Sequence, residues 1–155
     1  MPPSIKTVWS LNKKYYALMD PEKNITTVYQ VSNKDRQDKF WSMYGWFRIA
    51  GLSSDGSYLV AGHDGMNLLP RNHRKDEVML YFFHEGKLVN YVTLDQLIKD
   101  TSKLQKTASH IYWGNYIGLD ENDRYLVETV ENRKIIFDVT GKELKRNKEL
   151  IRRAP

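Results

Sequence analysis

The sequence predicts an all-β chain of antiparallel meanders with one short helical insertion. Three observations carry that prediction. Short runs of β-branched and aromatic residues recur along the chain, each bounded by Asx, Gly or Pro turn formers. Two hairpins are legible as paired apolar runs around a tight turn. Helix-type apolar spacing occurs clearly in one place, behind a capping box.

Taken in order, Ile25-Thr26-Thr27-Val28-Tyr29-Gln30-Val31 is the first clear strand. Asp20-Pro21-Glu22-Lys23-Asn24 precedes it and Ser32-Asn33-Lys34-Asp35 follows, and both read as turns. The aromatic string Phe40-Trp41-Ser42-Met43-Tyr44-Gly45-Trp46-Phe47-Arg48 comes next. On a strand, Phe40, Ser42 and Tyr44 face one side while Trp41 and Met43 face the other. Residues 63–76 read as a long irregular loop, broken by Gly65 and Pro70 and made cationic by Arg71, His73, Arg74 and Lys75.

Residues 78–83 and 88–92 form a hairpin around His84-Glu85-Gly86-Lys87, where Gly86 supplies a left-handed conformation. Thr93-Leu94-Asp95-Gln96 is a capping box, and Leu94, Leu97 and Ile98 make one apolar stripe behind it. Residues 100–107 are polar and read as a further turn or loop. The second hairpin pairs 125–130 with 134–139 around Glu131-Asn132-Arg133, and Thr140-Gly141-Lys142 turns the chain again.

The chain also repeats itself. Asn12-Lys13-Lys14-Tyr15-Tyr16-Ala17, Asp55-Gly56-Ser57-Tyr58-Leu59-Val60 and Asn122-Asp123-Arg124-Tyr125-Leu126-Val127 align without gaps. Each is an Asx residue that caps its own turn, two turn formers, and a tyrosine that opens a strand. The second and third extend backward as Gly51-Leu52-Ser53-Ser54 and Gly118-Leu119-Asp120-Glu121. The tyrosines lie 43 and then 67 residues apart. The first spacing matches a four-stranded repeat of roughly 40–45 residues. An insertion between Thr93 and His110 accounts for the second.

Leu52-Ser53-Ser54-Asp55-Gly56-Ser57-Tyr58-Leu59-Val60 resembles the strand opening of WD-repeat and related bacterial β-propeller blades. Ile136-Phe137-Asp138-Val139-Thr140-Gly141-Lys142 is similar to a blade's third strand and its turn. No Gly-His opens a blade in the usual place and no Trp-Asp ends one. Three units fit where a closed propeller needs roughly four to eight. The expectation is therefore a half-propeller or sandwich-like stack in a single domain, 1–155. Its units are about 5–45, 46–92 and 110–147, with the helical insertion at 93–107. The resemblance implies a binding platform more often than a catalyst, and fold alone assigns no chemistry.

Composition removes several function classes. With 155 residues, 41% apolar and 12% aromatic, the chain can bury a core and is not intrinsically disordered. Cysteine is absent, which excludes disulfides, thiolate nucleophiles and Cys-based zinc sites. No apolar run approaches the roughly 18 residues of a membrane span. The net charge of +5 gathers partly at the C-terminus, where Lys142, Lys145, Arg146, Lys148, Arg152 and Arg153 outnumber Glu143 and Glu149. The first residues lack the pattern of a secretory signal. The compartment is cytoplasmic if Met1 is native, and periplasmic or secreted if the chain is trimmed.

The candidate chemistry is sparse. The histidines His63, His73, His84 and His110 have no metal-ligand spacing, and neither a metal nor a cofactor is expected. Adjacent Ser109 and His110 on a strand would point to opposite faces, so His110 as a base needs another partner, with Asp64 to orient it. The acidic turns Asp120-Glu121-Asn122-Asp123 and 20–24 lack an EF-hand pattern. Gly62-His63-Asp64-Gly65-Met66-Asn67 lacks a third glycine and a following helix, although its backbone could approach a ligand closely.

The expected function is a non-enzymatic binding or scaffold module, with a protein partner or self-association. Its contact residues would be Trp41, Tyr44, Trp46, Arg48, His63, Asp64, Asn67, Arg71, His73 and Arg74. Whether the aromatic string is core or interface stays open at this level. A small hydrolase using His110 and Asp64 is one alternative. Nucleic-acid binding through the basic loop and tail is another.

Overall fold

A computed structural model describes residues 1–33 and 36–144. The basic tail from Lys145 onward, the end of the third unit, and Lys34-Asp35 lie outside the described residues.

The fold is all-β: antiparallel, blade-like meanders with one short helical insertion. The first sheet runs β1 (Lys6–Trp9), β2 (Tyr15–Asp20), β3 (Ile25–Val31) and β4 (Gln37–Tyr44), in that order. Strand alternation puts Ala17, Met19, Thr26, Val28 and Trp41 on one face, and all five are buried.

The second sheet orders β5 (Ala50–Leu52), β6 (Tyr58–Gly62), β8 (Val78–His84) and β9 (Lys87–Thr93). The β8–β9 turn holds Glu85 at φ 46° and Gly86 at φ 86°, both in the left-handed region a two-residue hairpin of this hand requires. Within the expected loop lies a short strand, β7 (Leu68–Pro70). Periodicity could not show it, because its partner is forty residues downstream in register with His110, Ile111 and Tyr112.

After β9 the capping box starts α1 (Leu94–Leu97), where Gln96 Oε1 accepts from the Thr93 amide at 2.8 Å. Leu94, Leu97 and Ile98 are all buried, as their stripe predicts. A 3-10 turn (Thr101–Lys103) follows, then β10 (Gln105–Lys106) and β11 (His110–Tyr112). These pair in the order β10-β11-β7, a small sheet that joins the excursion between β6 and β8 to the insertion. The last sheet orders β12 (Gly114–Leu119), β13 (Tyr125–Thr129) and β14 (Lys134–Phe137), with a bridge from Phe137 to Glu143. No described helix is long and apolar enough to cross a membrane.

Two cores form. Ala17, Met19, Val28 and Trp41 of the first sheet meet Leu52, Leu59, Ala61 and Phe83 of the second. The other face of the second sheet, with Val60, Leu80, Phe82 and Val92, shares a larger core with α1, Trp113, Tyr125, Val127, Ile135 and Phe137.

The repeated turns are alike in detail. Lys13, Gly56 and Asp123 occupy the same position in each, at φ 61°, 72° and 56°. Their amides donate to Ser10, Ser53 and Asp120 carbonyls at 3.0, 3.0 and 3.1 Å. The third turn is one residue shorter: Trp9 pairs with Tyr16 and Leu52 with Leu59, but Leu119 pairs with Tyr125. A one-residue change sends a strand's side chains to the opposite face. Tyr125 is therefore fully buried, where Tyr15 and Tyr58 are half-buried, so the gapless repeat does not give its tyrosines one role.

Cross-ties join the turns. Asn12 Nδ2 donates to Ser54 O at 2.8 Å, and Ser54 N and Oγ both donate to Asp123 Oδ1 at 2.9 Å.

Candidate functional site

The face of the first sheet turned away from its core is aromatic. Trp9 stands opposite Tyr16, and Tyr16 opposite Tyr29. Their ring centroids are 4.8 and 5.2 Å apart. Leu18, Ile25 and Tyr44 continue the face. Trp9 is 41% exposed and Tyr44 is 83% exposed. The Tyr16 hydroxyl donates to Gln37 Oε1, and burial, aided by nearby Tyr29, pushes its pKa up.

The 40–48 string divides in three. Trp41 is 7% exposed and its Nε1 donates to Gly56 O at 2.8 Å, so it serves the core and ties the first sheet to the second turn. Tyr44 belongs to the open aromatic face. Trp46 and Arg48 hold the start of the chain. Trp46 Nε1 donates to Ser4 O at 2.9 Å and Arg48 Nη1 to Met1 O at 3.0 Å. Lys6 Nζ and the Arg48 guanidinium lie 5.1 and 5.2 Å from the Trp46 ring centroid. Burial, then the Arg48 charge, pulls the Lys6 pKa down.

The remaining candidates scatter. Asp64 sits 3.5 Å from Arg48 Nε, with its side chain 81% exposed. His63 Nδ1 is 3.7 Å from Glu77. The Asn67 carbonyl accepts from the Trp113 amide at 3.3 Å. Arg74 chelates Asp76 at 2.9 and 3.0 Å. Arg71 Nη2 donates to Thr107 O and Ala108 O at 3.1 and 2.9 Å, clamping the insertion. His110 is exposed, and Ser109 Oγ lies 2.7 Å from its Nδ1. That corrects the expectation that the two side chains diverge: Ser109 sits in a bend ahead of β11, where strand alternation does not apply. The hydrogen bonds and ion pairs of Asp64 and His110 run to different partners. Among the described residues, no three His, Asp or Glu gather as a metal group would require.

One cleft of about 530 Å³ opens between the two excursions. Its lining is His73, Lys75, Thr101, Ser102, Leu104, Lys106 and Ile111. Only His73 among these stood among the expected contact residues. The rest were hidden because β7–β11 pairing, not sequence proximity, brings the two walls together.

No family model matches the chain, and no curated protein matches it. Among solved structures it is similar to a periplasmic gluconolactonase of Pseudomonas aeruginosa, with a TM-score of 0.44 and 13% identity. The match covers 94% of this chain and 39% of that one, so the chain spans well under half the length of that protein.

Proposed function

We propose that this chain is a non-enzymatic binding or scaffold module of propeller type. Its partner surface is the aromatic face of the first sheet, and its first partner is a second copy of itself. The reading takes the chain as one domain of three units, about 5–45, 46–92 and 110–147, with the insertion at 93–107. Repeated turn geometry and the ties between turns support that division.

The single observation that carries the function is the row of rings Trp9, Tyr16 and Tyr29 across the outer face, open at Trp9, with exposed Tyr44 further along the same face. Trp and Tyr are the residues most enriched at interface hot spots, and contiguous exposed apolar surface marks interaction sites. The hydrolase alternative has no comparable support, since His110 and Asp64 bond to separate groups.

Light scattering after size exclusion tests the proposal. The expected mass is twice 18.3 kDa, returning to 18.3 kDa for Trp9→Glu with an unchanged circular dichroism spectrum. A wild-type monomer at about 100 μM, weaker than the usual range of specific complexes, would overturn self-association. A dimer indifferent to Trp9→Glu would overturn the assigned face.

A further inference from the structure

The geometry points to a second, separate site: the cleft between residues 70–77 and 99–111 binds a small organic anion, a carboxylate or phosphate ester on a short apolar body. None of the aromatic-face residues lines it, so the inference stands independently of self-association.

The charge argument comes first. Lys75 and Lys106 both line the cleft, and neither ammonium group has a hydrogen bond or ion pair among the described residues. Of the nearby carboxylates, Asp76 is paired with a cation, Arg74, while Asp100 keeps its charge beside Ser102 of the lining, so the two lysines must outweigh it. Asp100 accepts from Ser102 N at 3.0 Å and Ser102 Oγ at 2.6 Å. The two ammonium groups are free to meet a ligand's negative charge.

Polarity then sets orientation. Pro70 O can only accept, so His73 Nδ1, 3.0 Å away, is the donor; in the neutral ring Nε2 is then an acceptor, which suits a ligand hydroxyl and not its negative charge. Ser102 spends its proton on Asp100 and offers lone pairs. Thr101 is also part of the lining. Leu104 and Ile111 form the apolar floor, which a bare inorganic ion would leave unused. A volume of about 530 Å³ falls in the size range of small-molecule sites.

The walls are held before any ligand arrives. Lys75 O accepts from the Asp95 amide at 3.0 Å. Lys106 stands in register with Ile111 on β10–β11, and Arg71 clamps Thr107 and Ala108. The amides of Lys99 and Asp100 donate to the Glu131 carboxylate at 2.8 and 3.0 Å. Backbone fixed in this way lowers the ordering cost of binding.

Isothermal titration of the 155-residue chain with four probes tests the site: phenyl phosphate, benzoate, inorganic phosphate and phenol. Phenyl phosphate, benzoate or both should bind, and the stronger of the two identifies the headgroup. Phenol and inorganic phosphate should bind at least about tenfold more weakly. Lys75→Ala and Lys106→Ala should each weaken the organic anion about three- to tenfold, a charge-assisted bond discounted for exposure. Lys103→Ala, on the same segment but outside the lining, should change nothing. Leu104→Ser should weaken phenyl phosphate and leave inorganic phosphate unaffected. Failure of both organic anions to bind would overturn the site. So would phenol binding equally well, or binding that survives loss of both lysines. Inorganic phosphate binding as tightly as phenyl phosphate would overturn the role of the floor.

Discussion

Replacing Trp41 with alanine should remove about 3–5 kcal/mol of stability, the usual range for deleting a buried large aromatic. The upper end is expected. Trp41 packs among Val28, Ala17 and Leu59 in the core between the first two sheets. Its indole also donates to Gly56 O at 2.8 Å, a bond that contributes about 1 kcal/mol net. A domain of this size is stable by about 5–15 kcal/mol, so the variant should lose a large part of its margin. Trp41→Phe keeps most of the ring packing and loses the indole donor, so it should cost about 1–2 kcal/mol. Tyr44→Ala, three residues along on the exposed face, should stay within about 0.5 kcal/mol. Urea unfolding followed by far-ultraviolet circular dichroism reads all three. A loss below about 1 kcal/mol for Trp41→Ala, or equal losses for Trp41→Ala and Tyr44→Ala, would refute the division of the aromatic string into core and surface.

Other predictions follow from the turns. Gly56→Ala places a Cβ 2.2 Å from Tyr15 Cδ1 at a φ of +72°, so it should cost about 2 kcal/mol or more in the same urea assay. Asp123→Ala removes both bonds from Ser54 and should cost about 1–3 kcal/mol, with Asp123→Asn recovering part of the loss because it keeps an acceptor oxygen. Burial pushes the Asp55 carboxyl up, but hydrogen bonds from Ser57 and Ser53 outweigh it and hold the pKa below the ordinary carboxylate value. A depressed native pKa contributes stability that is fully present above the unfolded value, near about 3.9, and is lost as pH falls through the folded value. Urea midpoints should therefore drop below about pH 4, and Asp55→Ala should be weaker at pH 7 with a shallower acid limb. An acid limb unchanged by that substitution would show that Asp55 is not among the responsible groups.

The local features of this fold were legible in its sequence because their causes are local. The Glu85-Gly86 turn, the Thr93–Gln96 capping box and the opposite facing of Trp41 and Tyr44 each depend on a few adjacent residues. The features that escaped depend on distant partners. Leu68–Pro70 is a strand only because His110–Tyr112 lies beside it. The tyrosine repeat hid the shorter third turn, since alignment compares residue types and the flip comes from pairing register. The aromatic face of the first sheet was missed for a related reason. Tyr16 and Leu18 alternate with the equally apolar Tyr15, Ala17 and Met19, so β2 is apolar on both sides. Sequence marks both faces as needing cover but does not say which one the rest of the chain covers. The cationic cleft has half its walls in a segment that reads as featureless polar loop.

The placement of the second sheet between two cores has a consequence for how the molecule comes apart. Leu59 and Ala61 of β6 belong to one core and Val60, between them, to the other. Neither core can dissolve alone and release β6, because the surviving one still grips alternate residues of the same strand. The first sheet can peel from one side, and the last sheet with the helical insertion from the other. The amides of β6 and β8 exchange with solvent only when both departures coincide, so their protection reports the global opening free energy. The first and last sheets then open at lower cost than the second. The segment most resistant to opening is the middle of the molecule, where a stack of meanders has neighbours on both sides.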